Sequence, residues 1–220
     1  MSVSPLAELL RTKRLLIFDF DGTIVDSSPL HARAFNEAFA GDGVTVDYPS
    51  IAGLTTDTAI DQVALGAGLS LDPEKRALLI ADKRARALRL IEAELEPIAG
   101  SLDFLKRAGT LFPMALCTSG SRPTIERALE RVGLVGAFDP VITAGDVRQG
   151  KPHPEGFLKA AAHHGVAPAQ ALVFEDAPSG LAAASAAGIE AVHVVEPGAA
   201  REAGQADWPM LNAALAELAR

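Results

Sequence analysis

Five short apolar runs alternate with longer segments that have the periodicity of amphipathic helices. The runs span residues 14–18, 113–117, 140–143, 171–174 and 191–195. Apolar runs of this length, separated by helical patterns, are typical of buried strands in a parallel sheet that is covered on both faces. The pattern predicts the α/β fold class, with a Rossmann-like parallel sheet as the core.

Residues that commonly begin helices follow three of these runs. They are the segments 26–29 (Asp-Ser-Ser-Pro), 121–123 (Ser-Arg-Pro) and 178–179 (Pro-Ser). Ser and Asp cap helix N-termini, Pro is favoured in the first turn, and Gly188 is placed to end the third helix. Helix capping alone accounts for these residues.

The spacing of the runs predicts an inserted module. Between the polar residues that end successive strands, 97 positions separate Asp21 from Thr118, whereas 33 separate Thr118 from Lys151. A strand-helix-strand unit takes roughly 30 residues, so the first interval is about two units too long. We predict an all-helical cap at residues 27–95, inserted into a core of residues 1–26 and 96–220. One long decorated α/β domain is the alternative.

Composition and charge exclude several classes of protein. The chain has 20 Lys and Arg against 28 Asp and Glu, a formal net charge of −8 that argues against a nucleic-acid partner. Its one cysteine, Cys117, allows neither an internal disulfide nor a cysteine-based zinc site. That cysteine is expected to pack inside the second strand.

No membrane span or secretory signal is apparent in the sequence. The longest uncharged stretch, residues 160–174, has 15 residues and is interrupted by two His, a Gly and a Pro. A membrane helix needs about 18 apolar residues, and the first residues of the chain have no apolar segment behind a basic start. We expect a cytoplasmic protein with no membrane partner, a monomer or weak dimer.

Acidic residues end two of the predicted strands. Asp19 and Asp21 follow the first strand, and Glu175 and Asp176 end the fourth. In an open parallel sheet ligands bind beyond the carboxyl ends of the strands, so these four side chains are expected to converge there. Converging carboxylates repel each other unless a cation compensates, and oxygen ligands suit Mg²⁺. The sequence predicts a magnesium site; a turn-forming role for the first pair alone is the alternative.

The second strand leads into a potential phosphate cradle. Thr118 and Ser119 precede Gly120 and a capped helix start, where hydroxyls, backbone N–H groups and the helix dipole favour an anion. Lys151 lies in the stiff segment Lys-Pro-His-Pro, which restricts where its ammonium can go. An isolated Lys is usually a solvated surface charge, but here an anion is expected nearby. Carboxylates, a cation and this cradle together are what phosphoryl transfer requires.

Four segments resemble the signature motifs of the haloacid dehalogenase superfamily. They are FDFDGTIVDS, ALCTSGS, GKPHPEGF and VFEDAPSG, in that order and spacing. The dehalogenases of the superfamily lack an acid at the position of Asp21, so the resemblance implies its phosphotransferase branch. It further implies that Asp19 is the nucleophile and that Asp21 is the general acid and base, with a backbone carbonyl on Mg²⁺.

The resemblance also assigns the remaining motif residues. Thr118, with Ser119 beside it, and Lys151 would hold the transferring phosphoryl group. Asp176 would be a second metal ligand, with Glu175 ligating directly or through water, so that the implied metal set is Asp19, Asp21, Glu175 and Asp176.

The predicted cap is similar to the caps of sugar-phosphate and polyol-phosphate phosphatases and of β-phosphoglucomutase. His31 lies where mutases and many phosphatases of this branch also carry His, and Lys83 falls near a substrate Lys of the mutase, although each is also explained by a solvated helix face. Thr56 stands where the mutase has an Arg that grips a second phosphate, which counts against mutase activity.

These expectations define the predicted function. The predicted protein is a Mg²⁺-dependent phosphomonoester hydrolase that acts on a small phosphorylated sugar or polyol through an aspartyl-phosphate. The alternatives are a β-phosphoglucomutase-like mutase and a non-catalytic binding protein on the same scaffold.

Overall fold

The computed structural model describes residues 4–218, which contain one six-stranded parallel sheet. The strand order is β3-β2-β1-β4-β5-β6, with β1 at the centre between β2 and β4. The strands are β1 (Leu15–Phe18), β2 (Met114–Cys117), β3 (Val141–Ile142), β4 (Ala171–Glu175), β5 (Glu190–Val194) and β6 (Gln205–Ala206). The predicted fold class is confirmed.

Helices cover both faces of the sheet and form the insertion after β1. They are α1 (Pro5–Arg11), α2 (Ser28–Phe39), α3 (Thr56–Gly66), α4 (Pro73–Glu94), α5 (Ser101–Ala108), α6 (Arg122–Arg131), α7 (Glu155–His163), α8 (Pro178–Ala186) and α9 (Trp208–Leu218). The three predicted helix starts correspond to α2, α6 and α8. Among the residues described, no helix is both long enough and apolar enough to cross a membrane.

All five predicted strands are present, each within two residues of its predicted bounds. The strand β6 was not predicted from the sequence; it has two residues and pairs with β5 at the sheet edge. The helix α1 was not predicted either; the hydroxyl of Ser4 caps it by accepting a hydrogen bond from the backbone N–H of Ala7. Both elements are too short for a periodic pattern to reveal them.

Aromatic packing fixes the central strands against the helices on one face of the sheet. The rings of Phe18 on β1 and Phe174 on β4 stack with centroids 4.7 Å apart, and Phe104 and Trp208 pack beside Phe174. Burial of such a side chain stabilises the fold by about 2–3 kcal/mol. The strand ends that carry the polar residues are therefore held on a rigid base.

The inserted helices have an apolar core of their own. Phe39 of α2, Ile60 of α3 and Ile80 of α4 are buried in a cluster that is separate from the two clusters of the sheet. The chain enters and leaves this module side by side, because Val25 bridges Pro97 in antiparallel fashion. The bridge supports the proposed boundaries of the cap, residues 27–95.

Candidate active site

Three carboxylates converge beyond the carboxyl ends of β1 and β4. These strands are paired neighbours with Phe18 opposite Phe174, so the residues that follow them leave the sheet at the same edge. Asp19, Glu175 and Asp176 each offer an oxygen atom within 4.8 Å of the others. Asp19 and Glu175 are buried, and Asp176 is partly buried. The structure thus brings together three of the four predicted metal ligands through their side chains.

Two glycines leave room for these carboxylates. Gly22 has φ +86°, a conformation that side chains disfavour, and a Cβ there would collide with the carboxylate of Asp176. A Cβ at Gly180 on α8 would lie 2.6 Å from Cγ of Glu175 and closer still to its carboxylate. Thr23 donates a hydrogen bond to Oδ1 of Asp176 at 2.8 Å. The motif glycines therefore determine where the acids can sit.

Lys151 is the cation of this cluster. Its ammonium is buried, with a side chain 6% exposed, and donates to Oδ1 of Asp19 at 2.5 Å and to Oε2 of Glu175 at 2.7 Å. Burial alone would lower the pKa of Lys151, but the charges of Asp19 and Glu175 outweigh it and raise that pKa. Lys151 stays protonated at neutral pH.

One ammonium does not balance three carboxylates. Burial, followed by the charge of Glu175, raises the pKa of Asp19 well above its usual range. The same two causes raise the pKa of Asp176 to about 7. Three oxygen ligands with excess negative charge fit a hard divalent cation, and Asp19, Glu175 and Asp176 would hold Mg²⁺ there.

The carboxylate of Asp21 points away from this cluster. It accepts hydrogen bonds from the hydroxyl of Ser27 at 2.7 Å and from Thr118 at 3.3 Å, and its Oδ1 lies 3.2 Å from Nε2 of His31. Burial would raise the pKa of Asp21, but the bonds from His31 and Ser27 outweigh it and lower that pKa to about 2. A metal contact of Asp21 would use its backbone carbonyl.

His31 and Lys83 form a chain of polar contacts behind Asp21. Nζ of Lys83 lies 3.2 Å from Nδ1 of His31 and 4.4 Å from the ring centre of Phe35. Lys83 is 5% exposed, and burial lowers its pKa to about 8. Burial, with the charge of Lys83 next, also lowers the pKa of His31. The alternative of a solvated helix face was wrong for both residues, because both side chains are largely shielded from solvent.

The predicted phosphate residues are only partly free for an anion. Oγ1 of Thr118 accepts the N–H of Gly120 at 3.0 Å, which fixes the turn before α6. The hydroxyl of Ser119 donates to the carbonyl of Gly53 in the cap at 2.8 Å. This bond ties the core to the cap and engages the hydroxyl proton of Ser119.

A cavity that is partly open to solvent lies between the cap and the sheet. Core residues Asp19, Asp21 and Ser119 line one side, and cap residues from α2, α3, α4 and the loop between α2 and α3 line the other. Thr56, the first residue of α3, is among these cap residues, as are His31 and Lys83. The three cap residues that the sequence singled out therefore share one cavity with Asp19.

A family model described as haloacid dehalogenase-like hydrolase matches residues 13–188 of the chain. The chain belongs to the haloacid dehalogenase-like hydrolase family. It is 34% identical to validoxylamine A 7'-phosphate phosphatase of Streptomyces hygroscopicus subsp. limoneus, over 88% of this chain and 91% of that protein. It is 36% identical to fructose-1-phosphate phosphatase YqaB of Escherichia coli (strain K12), over 81% of this chain and 95% of that one.

The solved structures agree in fold with this haloacid dehalogenase-like hydrolase. β-Phosphoglucomutase from Clostridium difficile superimposes with a TM-score of 0.77 at 22% identity, covering 94% of this chain and 100% of the other. That identity supports the fold, including the helical cap, and nothing finer. The predicted family is confirmed, and so is the enzyme class, a phosphatase of the haloacid dehalogenase superfamily.

Several residues that contact Asp21 or line the cavity of this phosphatase were not predicted from the sequence. Ser27 was interpreted as a helix cap, yet its hydroxyl donates a hydrogen bond to Asp21. The position of Ser27 within the first motif, six residues after Asp21, could have suggested this contact. Tyr48 and Arg84 also line the cavity. No periodic signal marks Tyr48, because it lies in a 3₁₀ turn. Arg84 follows Lys83 in a basic run that resembled a solvated surface.

Proposed function

We propose that the protein is a Mg²⁺-dependent phosphomonoester hydrolase that acts on a small phosphorylated sugar or polyol through an aspartyl-phosphate intermediate. The observation that carries the proposal is the joint placement of Asp19, Lys151 and the Glu175–Asp176 pair beside a cavity that also contains Asp21. The same proposal includes a small metabolite, rather than a nucleic acid, as the binding partner. It also includes action in the cytoplasm as a monomer or weak dimer.

Asp19 is the nucleophile in this mechanism. A carboxylate oxygen of Asp19 attacks phosphorus, and the bond from phosphorus to the ester oxygen breaks. Lys151 contacts Asp19 directly and neutralises charge on the incoming phosphate, which would otherwise repel the carboxylate. When bound by Asp19, Glu175 and Asp176, Mg²⁺ would supply further neutralisation of the phosphate oxygens.

Asp21 handles the proton in both halves of the reaction. In the first half Asp21 gives a proton to the departing oxygen; in the second it takes a proton from the water that attacks the aspartyl-phosphate and regenerates Asp19. Its low pKa in the free protein leaves the carboxylate of Asp21 deprotonated and so able to accept a proton in the second half. Binding of a phosphate dianion nearby raises the pKa of a carboxyl group, which favours the protonated form needed in the first.

The relatives and the cavity both support this substrate class. The relatives are named for fructose 1-phosphate and for validoxylamine A 7'-phosphate, both phosphate esters of polyhydroxylated molecules. The cavity combines an aromatic wall of Phe35 and Tyr48 with the hydroxyls of Thr56 and Thr124. Apolar walls with a few polar groups are typical of sites for small ligands of this kind.

Thr56 distinguishes the proposal from mutase activity. A mutase must hold a second phosphate while the first is on Asp19, and a hydroxyl provides no charge for that purpose. A mutase would convert β-glucose 1-phosphate to glucose 6-phosphate with little free phosphate. We expect free phosphate to be the main product.

The experiment compares Asp19→Asn with Asp103→Asn, an exposed acid on α5, on p-nitrophenyl phosphate and a panel of sugar and polyol phosphates, with and without Mg²⁺. Asp19→Asn should remain folded, because the neutral amide reduces repulsion among the buried acids, and should lower kcat about a thousandfold or more. Asp103→Asn should match the parent. Parental turnover by folded Asp19→Asn would disprove covalent catalysis at this residue.

A further inference from the structure

A short segment of the cap, residues 53–55 at the entry to α3, is fastened to the turn that follows β2. We call this segment the cap loop. The hydroxyl of Ser119 donates to the carbonyl of Gly53 in the cap loop at 2.8 Å. Ser119 comes directly after Thr118, one of the residues expected to hold the phosphoryl group. The cap is therefore bonded to the same turn that forms the predicted phosphate cradle.

Two further close approaches seat the cap loop on the core. A Cβ at Gly53 would lie 2.9 Å from Cβ of Ala177, the residue before α8, so a glycine is needed for this approach. A Cβ at Gly150, which precedes Lys151, would lie 3.1 Å from Cγ2 of Thr55. The cap loop thus packs against chain neighbours of catalytic residues at three places, and its position sets the distance between the cap and the reacting groups.

The hydroxyl of Ser119 has a single proton to donate. That proton is engaged by the Gly53 carbonyl, and the oxygens of a phosphate dianion can only accept hydrogen bonds. The hydroxyl therefore cannot donate to phosphate while it holds the cap loop. Lys151, already in contact with Asp19, supplies charge to the phosphate without this hydroxyl. Phosphate binding and attachment of the cap can thus use different atoms of the active site.

We propose that Ser119 is a positioning residue whose hydroxyl holds the cap over the active site through the carbonyl of Gly53, and that this hydroxyl is not a phosphate ligand. The inference rests on the proposed function. With the bond made, the cap residues that line the cavity face Asp19. Without it, the cap loop can lift away from the core. Loss of one hydrogen bond of this kind shifts the equilibrium between closed and open cap about two- to tenfold.

Hydrogen exchange measured by mass spectrometry on the whole protein, without ligand, tests the bond directly. Peptides that cover residues 52–58 report on it, because the N–H of Leu54 belongs to the same peptide group as the Gly53 carbonyl. Ser119→Ala should raise the exchange rate in these peptides about two- to tenfold. Ser119→Thr keeps the hydroxyl and should exchange like the parent. Ser185→Ala, at an exposed position of α8, is the matched control and should also exchange like the parent.

Steady-state kinetics separate a positioning role from direct phosphate binding. With the ester of the panel that the parent hydrolyses fastest, Ser119→Ala should lower kcat/KM about two- to tenfold, because the cap contacts the leaving group only when it is closed. Inorganic phosphate has no leaving group, so its inhibition constant should stay within about twofold of the parental value. Loss of a phosphate ligand would instead weaken the binding of the ester and of inorganic phosphate by the same factor.

Three results would overturn the inference. They are unchanged exchange of residues 52–58 in Ser119→Ala, the same rise in exchange in Ser119→Thr, and equal losses of affinity for the ester and for inorganic phosphate. The exchange measurement needs no turnover, so the inference and the proposed function can fail separately. If the parent hydrolyses no ester of the panel while Ser119→Ala still loosens the cap loop, the proposed function fails and the hold of Ser119 on the cap stands.

Discussion

Substitution of Gly180 by Ala offers a test in which two physical effects have opposite signs. In a helix, Gly to Ala normally stabilises a protein by about 0.5–1 kcal/mol. At Gly180, however, the new methyl group would occupy the space of the Glu175 side chain, 2.6 Å from its Cγ and closer to its carboxylate. The carboxylate has nowhere to move without losing its partners, because Glu175 is 1% exposed.

The magnitude follows from those partners. Oε2 of Glu175 accepts from Lys151 at 2.7 Å, and Oε1 accepts the backbone N–H of Ala177 at 3.1 Å. Breaking a buried ion pair costs about 3–5 kcal/mol. After the gain in helix propensity, Gly180→Ala should lower the free energy of unfolding by roughly 2–4 kcal/mol, or the melting temperature by roughly 5–15 °C for a chain of this size.

Urea unfolding followed by circular dichroism measures the change, with Gly66→Ala as the control. Gly66 is the last residue of α3, and a Cβ there meets nothing within 4 Å, so this variant should be slightly more stable than the parent. Because Glu175 belongs to the carboxylate cluster, Gly180→Ala should also need more Mg²⁺ for activity. If Gly180→Ala had the same free energy of unfolding as Gly66→Ala, the argument that Glu175 needs the space beside Gly180 would be refuted.

Two further predictions concern the metal and the cap. Burial and the charge of Glu175 raise the pKa of Asp176 to about 7. Without metal, the folded state therefore binds more protons at Asp176 than the unfolded state does between about pH 4 and 7, and the free energy of unfolding falls as the pH rises through this range. Mg²⁺ relieves the repulsion among the carboxylates, so the melting temperature in Mg²⁺ should exceed that in EDTA by more at pH 8 than at pH 5. Equal differences at the two pH values would contradict metal binding by the carboxylate cluster. A Cβ at Gly53 would lie 2.5 Å from Oγ of Ser179 across the cap and core, so Gly53→Ala should lower kcat/KM about tenfold or more. Gly43 also has a positive φ but has open space around its Cα, so Gly43→Ala should leave kcat/KM unchanged. Equal losses of kcat/KM in the two variants would indicate backbone strain instead of the contact with Ser179.

The core of the fold could be predicted from the sequence because its signals are local. The strand at 171–174 is apolar along its whole length, as a strand buried on both faces must be, and the structure confirms it. The order of the strands in the sheet was not predicted, since it depends on which β-strands pair across the chain. The edge strand β6 has two residues, one of them polar, and carries no such signal.

The convergence of the acids was predicted from topology rather than from side-chain geometry. Strands of a parallel sheet present their carboxyl ends on one edge, so Asp19 and Asp176 had to lie near each other once the sheet was granted. The direction of each carboxylate was not determined in this way. Asp21 turns toward Ser27 and His31 because the chain after Gly22 reverses at positive φ, and that turn is visible only in three dimensions.

The buried state of Lys83 could have been recognised from helix periodicity. The buried residues of α4 are Leu79, Ile80, Lys83, Ala87 and Ile91, which recur at the three- and four-residue spacing of one helix face. Burial of a charged residue on such a face destabilises the fold unless the charge has a partner, so the position of Lys83 favours a functional contact over a solvated side chain. Arg84, the next residue along the helix, lies at the margin of the buried face, where it lines the cavity and pairs through Nη2 with Asp57. The side chains that α4 presents to the cavity therefore depend on the rotation of this helix about its axis, which the spacing of its apolar residues sets and which the identities of Lys83 and Arg84 alone do not reveal.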